Sequence, residues 1–290
     1  MIDLTTSSHP QLPCQCRHQD ADHNHNLQEF FRWGDTAQFG EDTNKFVHQK
    51  DFVEAQILSG DPVFRTIAEV IRNTALRPKE LLQLPYIGTG VNSGLQPYRI
   101  IKDYQVNEKD EMVFTNGEKL VTDNAQQTLI TDDIVFEFES KGVKRRIYIP
   151  LQLWTDICKY WMPERAKRAK FSMANKEFEF RQKITDSCLF LSIDGRPVTC
   201  DMIKNHFRNV AHRLNHPAYG NRPFNSTLLR NACATFLVYE ALKKNNALNA
   251  DYVYNAYHDE SLRQVLGHKD KGATYKFYVD IVHSYTRRAP

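Results

Sequence analysis

Leu266-Gly267-His268-Lys269-Asp270-Lys271-Gly272-Ala273-Thr274-Tyr275-Lys276-Phe277-Tyr278 sets a glycine turn, a histidine and, ten residues after that histidine, a tyrosine in one short stretch. Taken alone, Leu-Gly-His reads as a helix end, because a residue just past the last helical turn adopts positive φ and glycine does so without steric cost. The flanking patterns predict one helix from Glu260 to Leu266 and another from Thr274 to about Tyr285. A histidine and a tyrosine become a reactive pair in the company of fixed cations, and three candidates stand far upstream at Arg77, Lys141 and Arg230.

Working outward, a helix is predicted from Thr227 to Leu242, and Thr199 is placed to cap another that runs to about Leu214. Before it come an apolar stretch at 188–193 and the turn Asp194-Gly195-Arg196-Pro197. Leu151 to Tyr160 reads as a helix. From about Gln96 to Pro150 the texture is that of strands: Arg99-Ile100-Ile101, Met112-Val113-Phe114, an Asn116-Gly117 turn, and Ile134 to Glu139 with alternating faces. The last hairpin turns at Lys141-Gly142-Val143-Lys144 and returns along Arg146 to Ile149. Asp61 is a good N-cap with Pro62 at the first helical position, and Val63, Ile67, Val70 and Ile71 follow at helical spacing; a further helix starts at Pro78. The fold class expected is α+β, mostly helical with a small antiparallel sheet, and its folded part begins near Asp61.

The chain has 290 residues, 41% apolar and 25% charged, the balance of an ordinary globular protein. It contains no apolar run of membrane-spanning length, and Asp3 with its polar neighbours stands where a secretory signal needs a basic start and an apolar core, so a soluble, cytoplasmic protein without a membrane partner is expected. Six cysteines, at 14, 16, 158, 188, 200 and 233, form no regular framework; no disulfide is expected, and Cys188 reads as a reduced core thiol. Residues 1–50 are rich in His, Gln, Asp and Asn and read as a solvated extension. Cys14, Cys16, His18, His23 and His25 lie within it, but their spacing matches no strong zinc pattern. Net charge is only +3, yet Lys141, Lys144, Arg145 and Arg146 form one basic cluster and Arg165, Lys167, Arg168 and Lys170 another. Each reads as a solvated face or as a contact for a nucleic-acid backbone.

Separated segments then fall into an order that the sequence shares with a known family. Ala75-Leu76-Arg77-Pro78-Lys79-Glu80-Leu81-Leu82-Gln83-Leu84 resembles the first arginine box of the tyrosine recombinases, or phage integrases, with a glutamate three residues after the arginine. Ser140 to Pro150 is similar to that family's β-hairpin lysine segment, Leu189 to Val198 to the segment before its second arginine, Leu228 to Leu237 to the second arginine box, and Leu266 to Tyr278 closes the series. The resemblance covers about residues 60–285 and divides the chain into a polar extension or remnant, 1–55, and a catalytic domain, 56–290.

What the resemblance implies is DNA strand exchange through a covalent 3′-phosphotyrosine, in the setting of a mobile element that is integrated or excised. Two guanidinium forks, Arg77 and Arg230, would hold the non-bridging oxygens of the scissile phosphate with paired, charge-assisted hydrogen bonds. Tyr278 would be the nucleophile, with Tyr275 as its competitor and Tyr285 further away. Lys141 would protonate the departing 5′ oxygen, with Lys144 in the same turn able to substitute, and His268 would bind the phosphate or aid proton transfer at the tyrosine. Glu80 and Thr227 would support the site, and Lys144, Arg145 and Arg146 would contact the DNA backbone. No metal or other cofactor is called for, because arginines and a lysine supply the positive charge. The partners implied are a duplex recombination site, three further copies of the chain in a homotetrameric synapse, and an accessory directionality factor, at the nucleoid.

Two departures stand out. The family carries histidine three residues before its second arginine, where this chain has Thr227, a residue that can donate a hydrogen bond but cannot carry a proton charge and that can equally cap its helix. The family also places a helical clamp before the catalytic domain, for which residues 1–60 are short and polar. A DNA-binding protein on the same scaffold that has lost cleavage, and a type IB topoisomerase, are the alternative readings.

Overall fold

The computed structural model describes residues 47, 49–95, 104–106, 112–114, 134–173, 187–214, 224–248, 254–268 and 273–286. Helices dominate them. In chain order they are α1 (Gln49–Ser59), α2 (Pro62–Thr74), the single turn α3 (Pro78–Leu81), α4 (Leu151–Asp156), α5 (Met162–Met173), α6 (Cys200–Leu214), α7 (Ser226–Lys244), α8 (Ala256–Leu266) and α9 (Ala273–Thr286). Two antiparallel hairpins complete the α+β class: β1 (Tyr104–Val106) with β2 (Met112–Phe114), and β3 (Ile134–Ser140) with β4 (Val143–Ile149). The predicted strand at Arg99–Ile101, the Asn116-Gly117 turn and the Cys/His group at 14–25 lie outside the described residues.

Local sequence explains most boundaries. The Asp61 carboxylate accepts from the Val63 amide at 3.0 Å, Pro62 fills the first turn, and α2 buries Val63, Ile67, Val70 and Ile71 before Ala75 closes it at φ 53°. The Thr199 hydroxyl accepts from the Met202 amide at the start of α6, as its position in the sequence predicts. Gly267 closes α8 at φ 62°.

Four boundaries differ from the sequence expectation. Helix α1 packs on α6 and buries Phe52 and Ala55, so the folded part reaches back beyond Asp61 and the helix straddles residue 55. It was hard to see because Val53 and Ile57 point outward, which leaves no one-sided apolar stripe. After α4, a π-helical turn, Ile157–Trp161, joins it directly to α5, so this helical run continues well past Tyr160. Asn225, not Thr227, caps α7, accepting from the Leu228 amide at 3.0 Å, and exposed Thr227 sits inside the first turn. Asn255 caps α8 in the same way, which starts that helix at Ala256 rather than Glu260.

Two groups of buried side chains form the interior. The larger gathers α1, α2, the β3–β4 hairpin, α4 to α6 and the start of α7; the smaller gathers the rest of α7 with α8 and α9. Helix α7 runs through both, with Leu229 in the first and Ala232 in the second. Arg230 therefore leaves α7 at the seam. Of the basic cluster on α5, Arg165 and Arg168 are buried, and neither of the two sequence readings of that cluster fits them. Arg165 lies 3.4 Å from the Tyr86 ring and donates to the Cys188 carbonyl, while Arg168 donates to Asp61, Glu164 and the Leu191 carbonyl. Cys158, Cys188, Cys200 and Cys233 are free thiols, Cys188 only half-buried. No helix among the described residues is long and apolar enough to cross a membrane.

Candidate functional site

The β3–β4 hairpin presents one face to the core because its side chains alternate: Ile134, Phe136 and Phe138 pair with Ile149, Ile147 and Arg145. The opposite face pairs Glu137 with Arg146 and Glu139 with Lys144, and Arg146 is bridged to Glu137 at 3.0 Å. Arg146 and Lys144 are exposed beside these carboxylates. The turn is shorter than predicted. Lys141 (φ 53°) and Gly142 (φ 74°) alone make it, a two-residue loop whose positive φ pair matches the strand twist, and Val143 and Lys144 already belong to β4. Lys141 stands exposed at the tip.

Two side-chain amides fix this hairpin to the Arg77 segment. Gln83 donates to the Glu139 carbonyl at 2.7 Å and accepts from its amide at 3.1 Å; Asn92 does the same at Glu137, at 2.9 and 2.7 Å. Along the outer edge of β3 they imitate a neighbouring strand. Neither was singled out in the sequence, although Gln83 stands in the first arginine box.

Glu80 is the hub. Its Oε2 accepts the Arg77 backbone N–H, and its Oε1 accepts from Arg77 Nη1, Arg145 Nη1 and the Ser140 hydroxyl, all within 2.7–2.8 Å. Burial alone would raise this carboxyl, but the hydrogen bonds from Ser140 and Arg77 and the charge of Arg145 outweigh it, so it is held below its ordinary 4.5. Arg230 points to the same place from α7. Its Nε donates to the Ala75 carbonyl at 2.7 Å and its Nη2 to the Leu266 carbonyl at 3.0 Å. Burial, and then the charge of Arg77, push its guanidinium down to about 10, which still leaves it cationic at neutral pH; Glu80 and Tyr278 act in the opposite sense and Arg145 in the same one.

Tyr278 is buried on α9, and its hydroxyl donates to Asn231 Oδ1 at 2.9 Å, on the residue next to Arg230. Burial drives the phenol up to about 12 against the pull of Arg230, with buried Cys233 adding to the rise. Tyr275 is also buried but faces α8, with the rings of Tyr254 and His258 within 6.4 Å. The Tyr285 side chain lies outside the described residues. His268 follows the Gly267 turn, with Nδ1 3.2 Å from the Thr274 hydroxyl.

The fold thus assembles Arg77, Glu80, Arg145, Arg230 and Tyr278 around one locus, with Lys141 next in sequence to Ser140 and His268 next to the turn that Arg230 holds. Arg145 is placed differently from its neighbours in the basic cluster. Its sequence reading is a DNA-backbone contact, whereas its guanidinium is turned inward onto Glu80 and the Gln264 and Val265 carbonyls, with the Phe138 ring 5.1 Å away. The signal was available in the two-residue period, which gives Arg145 the parity of buried Ile147 and Ile149. Asn231 was not anticipated either, and one sequence carries no mark of it. No metal-binding group of three or more His, Cys, Asp or Glu occurs among the described residues.

No family model and no curated protein matches the chain. Among solved structures, the chain is similar to a XerH site-specific recombinase bound to a palindromic difH substrate in a post-cleavage complex, with TM-score 0.37 and 15% identity over 91% of this chain and 48% of that one. The chain spans about half the length of that structure.

Proposed function

We propose that this chain is a site-specific DNA recombinase that cuts one strand of a duplex through Tyr278 and rejoins it to a different end. The observation that carries this reading is the gathering of Arg77 and Arg145 on Glu80, the one carboxylate among the described residues that bonds to them there, with Arg230 close enough to feel all three charges, beside the Tyr278 hydroxyl. With Arg145 meeting the charge of Glu80, the excess positive charge rests on Arg77 and Arg230 and suits an anion that gains charge during attack, as a phosphodiester does.

In the proposed step the Tyr278 oxygen bonds to phosphorus, the P–O5′ bond breaks, and Lys141 passes its proton to the departing 5′ oxygen. Arg77 and Arg230 hold the non-bridging oxygens, and His268 binds the phosphate or takes the tyrosine proton. Attack by the freed 5′ hydroxyl of another strand reverses the sequence without ATP, because the phosphotyrosine keeps the energy of the broken bond. Thr227, exposed in the first turn of α7, lies one helical turn before Arg230 and can donate to the phosphate from that side. A homotetramer on two duplex sites, an accessory directionality factor and the integration or excision of a mobile element complete the proposal.

One feature favours a second reading, a DNA-binding protein on this scaffold that does not cleave: the Tyr278 hydroxyl is buried, bonded to Asn231 and pushed up to about 12. Trapping separates the two. The chain is incubated with a randomised library of nicked duplexes, and adducts that survive detergent are digested and located by peptide mass. Wild type yields an adduct on the Tyr278 peptide and Tyr278→Phe yields none. Undiminished trapping by Tyr278→Phe, lost in Tyr275→Phe, moves the nucleophile; binding with no adduct from wild type favours the second reading. Relaxation of plasmids without any specific site would point to a type IB topoisomerase.

A further inference from the structure

We propose that Arg145 is a positioning residue that holds the Leu266–His268 turn in register with the Arg77 segment, and that Gly267 is fitted to it. For its kinetic consequence the proposal rests on the cleavage reading above; its structural half does not.

The last carbonyls of a helix have no partner within the helix and carry the negative end of its dipole. At the end of α8, three such carbonyls in succession are taken by two guanidiniums. Arg145 Nη2 donates to Gln264 and Val265, each at 2.9 Å, and Arg230 Nη2 donates to Leu266 at 3.0 Å. The other amino group of Arg145, Nη1, holds Glu80, which holds Arg77. One planar fork therefore spans from the first arginine box to the turn that delivers His268. A lysine ammonium lacks that fork.

Gly267 makes room for it. A Cβ there would meet Arg145 Nη1 at 2.4 Å and Cζ at 2.5 Å, on a backbone at φ 62° that already disfavours a side chain. The glycine is needed twice, for its dihedral and for the guanidinium lying across it. His268 follows directly, with its amide on the Arg263 carbonyl at 3.1 Å. Moving the turn would move the imidazole.

The full chain is compared with Arg145→Ala and Arg145→Lys in three measurements. Amide exchange in the free protein should speed up about 10-fold or more in peptides covering 264–268 in both variants, while α2 and α7 stay as in wild type. Affinity for a labelled duplex of arbitrary sequence should change less than about 3-fold, with the salt slope unaltered, since this guanidinium neutralises no phosphate. Adduct formation on a nicked duplex recovered from the trapping library should slow by about 100-fold, the scale of a small misplacement at a reacting centre. Methylguanidinium added to Arg145→Ala should recover part of the lost exchange protection and rate, and Arg145→Lys should recover little.

A salt slope shallower by about one, with turn exchange unchanged, would make Arg145 a backbone contact and overturn the proposal. Exchange that quickens across all helices would overturn it too, in favour of a general stabilising role. If wild type forms no adduct, the cleavage reading fails, and the local exchange pattern still decides whether Arg145 holds the turn.

Discussion

Two arginine clusters in this molecule use the same donors to opposite ends. On α5, Arg165 and Arg168 are buried against Tyr86, Trp161 and the carbonyls of the 188–191 segment, and the described carboxylates at hand, Asp61 and Glu164, equal them in number. Around Glu80, two guanidiniums share one carboxylate with Arg230 within electrostatic reach, and the Arg77 side chain keeps 26% of its surface exposed. The guanidiniums of the first cluster are closed off from solvent, Arg168 keeping 4% of its side-chain surface, whereas Arg77 in the second is open to it. Charge alone in the sequence does not separate them; the access of solvent to the guanidiniums does.

The contrast can be broken by substitution, and the largest effect belongs to the sealed cluster. Arg168→Ala leaves Asp61 without its cation and the Leu191 carbonyl unpaired, and should cost about 3–5 kcal/mol of unfolding free energy in urea titrations. A loss below about 1 kcal/mol would mean that this cluster is no better tied than a surface pair. Arg230→Ala should show the opposite profile: adduct formation falls about 10²–10³-fold, the scale of removing one preorganised donor. Its unfolding free energy should drop by only about 1–2 kcal/mol, because removing a cation relieves repulsion from Arg77 and Arg145 while freeing two carbonyls. Equal losses in both variants would erase the distinction.

Glu80 offers a smaller and more specific handle through pH. Its carboxyl is lower in the folded chain than its ordinary 4.5, so the charged form stabilises the fold above about that pH, and the contribution fades as acid carries the pH down through the folded value. Glu80→Gln should be less stable at neutral pH, and its difference from wild type should shrink below about pH 4.5. A difference that stays constant across that window would remove Glu80 as the charged hub. The smallest effect is expected at Arg146→Ala, which breaks an exposed cross-strand pair with Glu137 and should change stability by less than about 1 kcal/mol.

Much of this was legible in the chain. Asp61-Pro62, the alternation of Ile134 to Glu139, the glycine after Leu266 and the cap at Thr199 are local signals with local causes, and each lies where the structure uses it. The meeting of Arg77, Arg230 and Tyr278 was legible only as an order of segments, since no local rule brings residues so far apart together. The rest depends on a period that several residues must be read together to show, or on neighbours that no window of sequence holds. The fate of Arg145 turned on strand parity, and that of Arg165 and Arg168 on a stripe that starts at Trp161 and continues past the π-helical turn. Asn231 and the strand-like roles of Gln83 and Asn92 depend on tertiary neighbours, and an amide side chain gives no advance notice of which backbone it will meet.

Those two amides have a consequence for how the protein meets other chains. An open strand edge is an invitation to pairing from outside, and proteins blunt such edges with charges, bulges or cover. Here Gln83 and Asn92 occupy the rungs at Glu139 and Glu137, so the β3 edge of the hairpin that raises Lys141 offers no vacant ladder over that stretch. Pairing from outside onto the β3 side of the lysine-bearing hairpin would first have to displace these two amides.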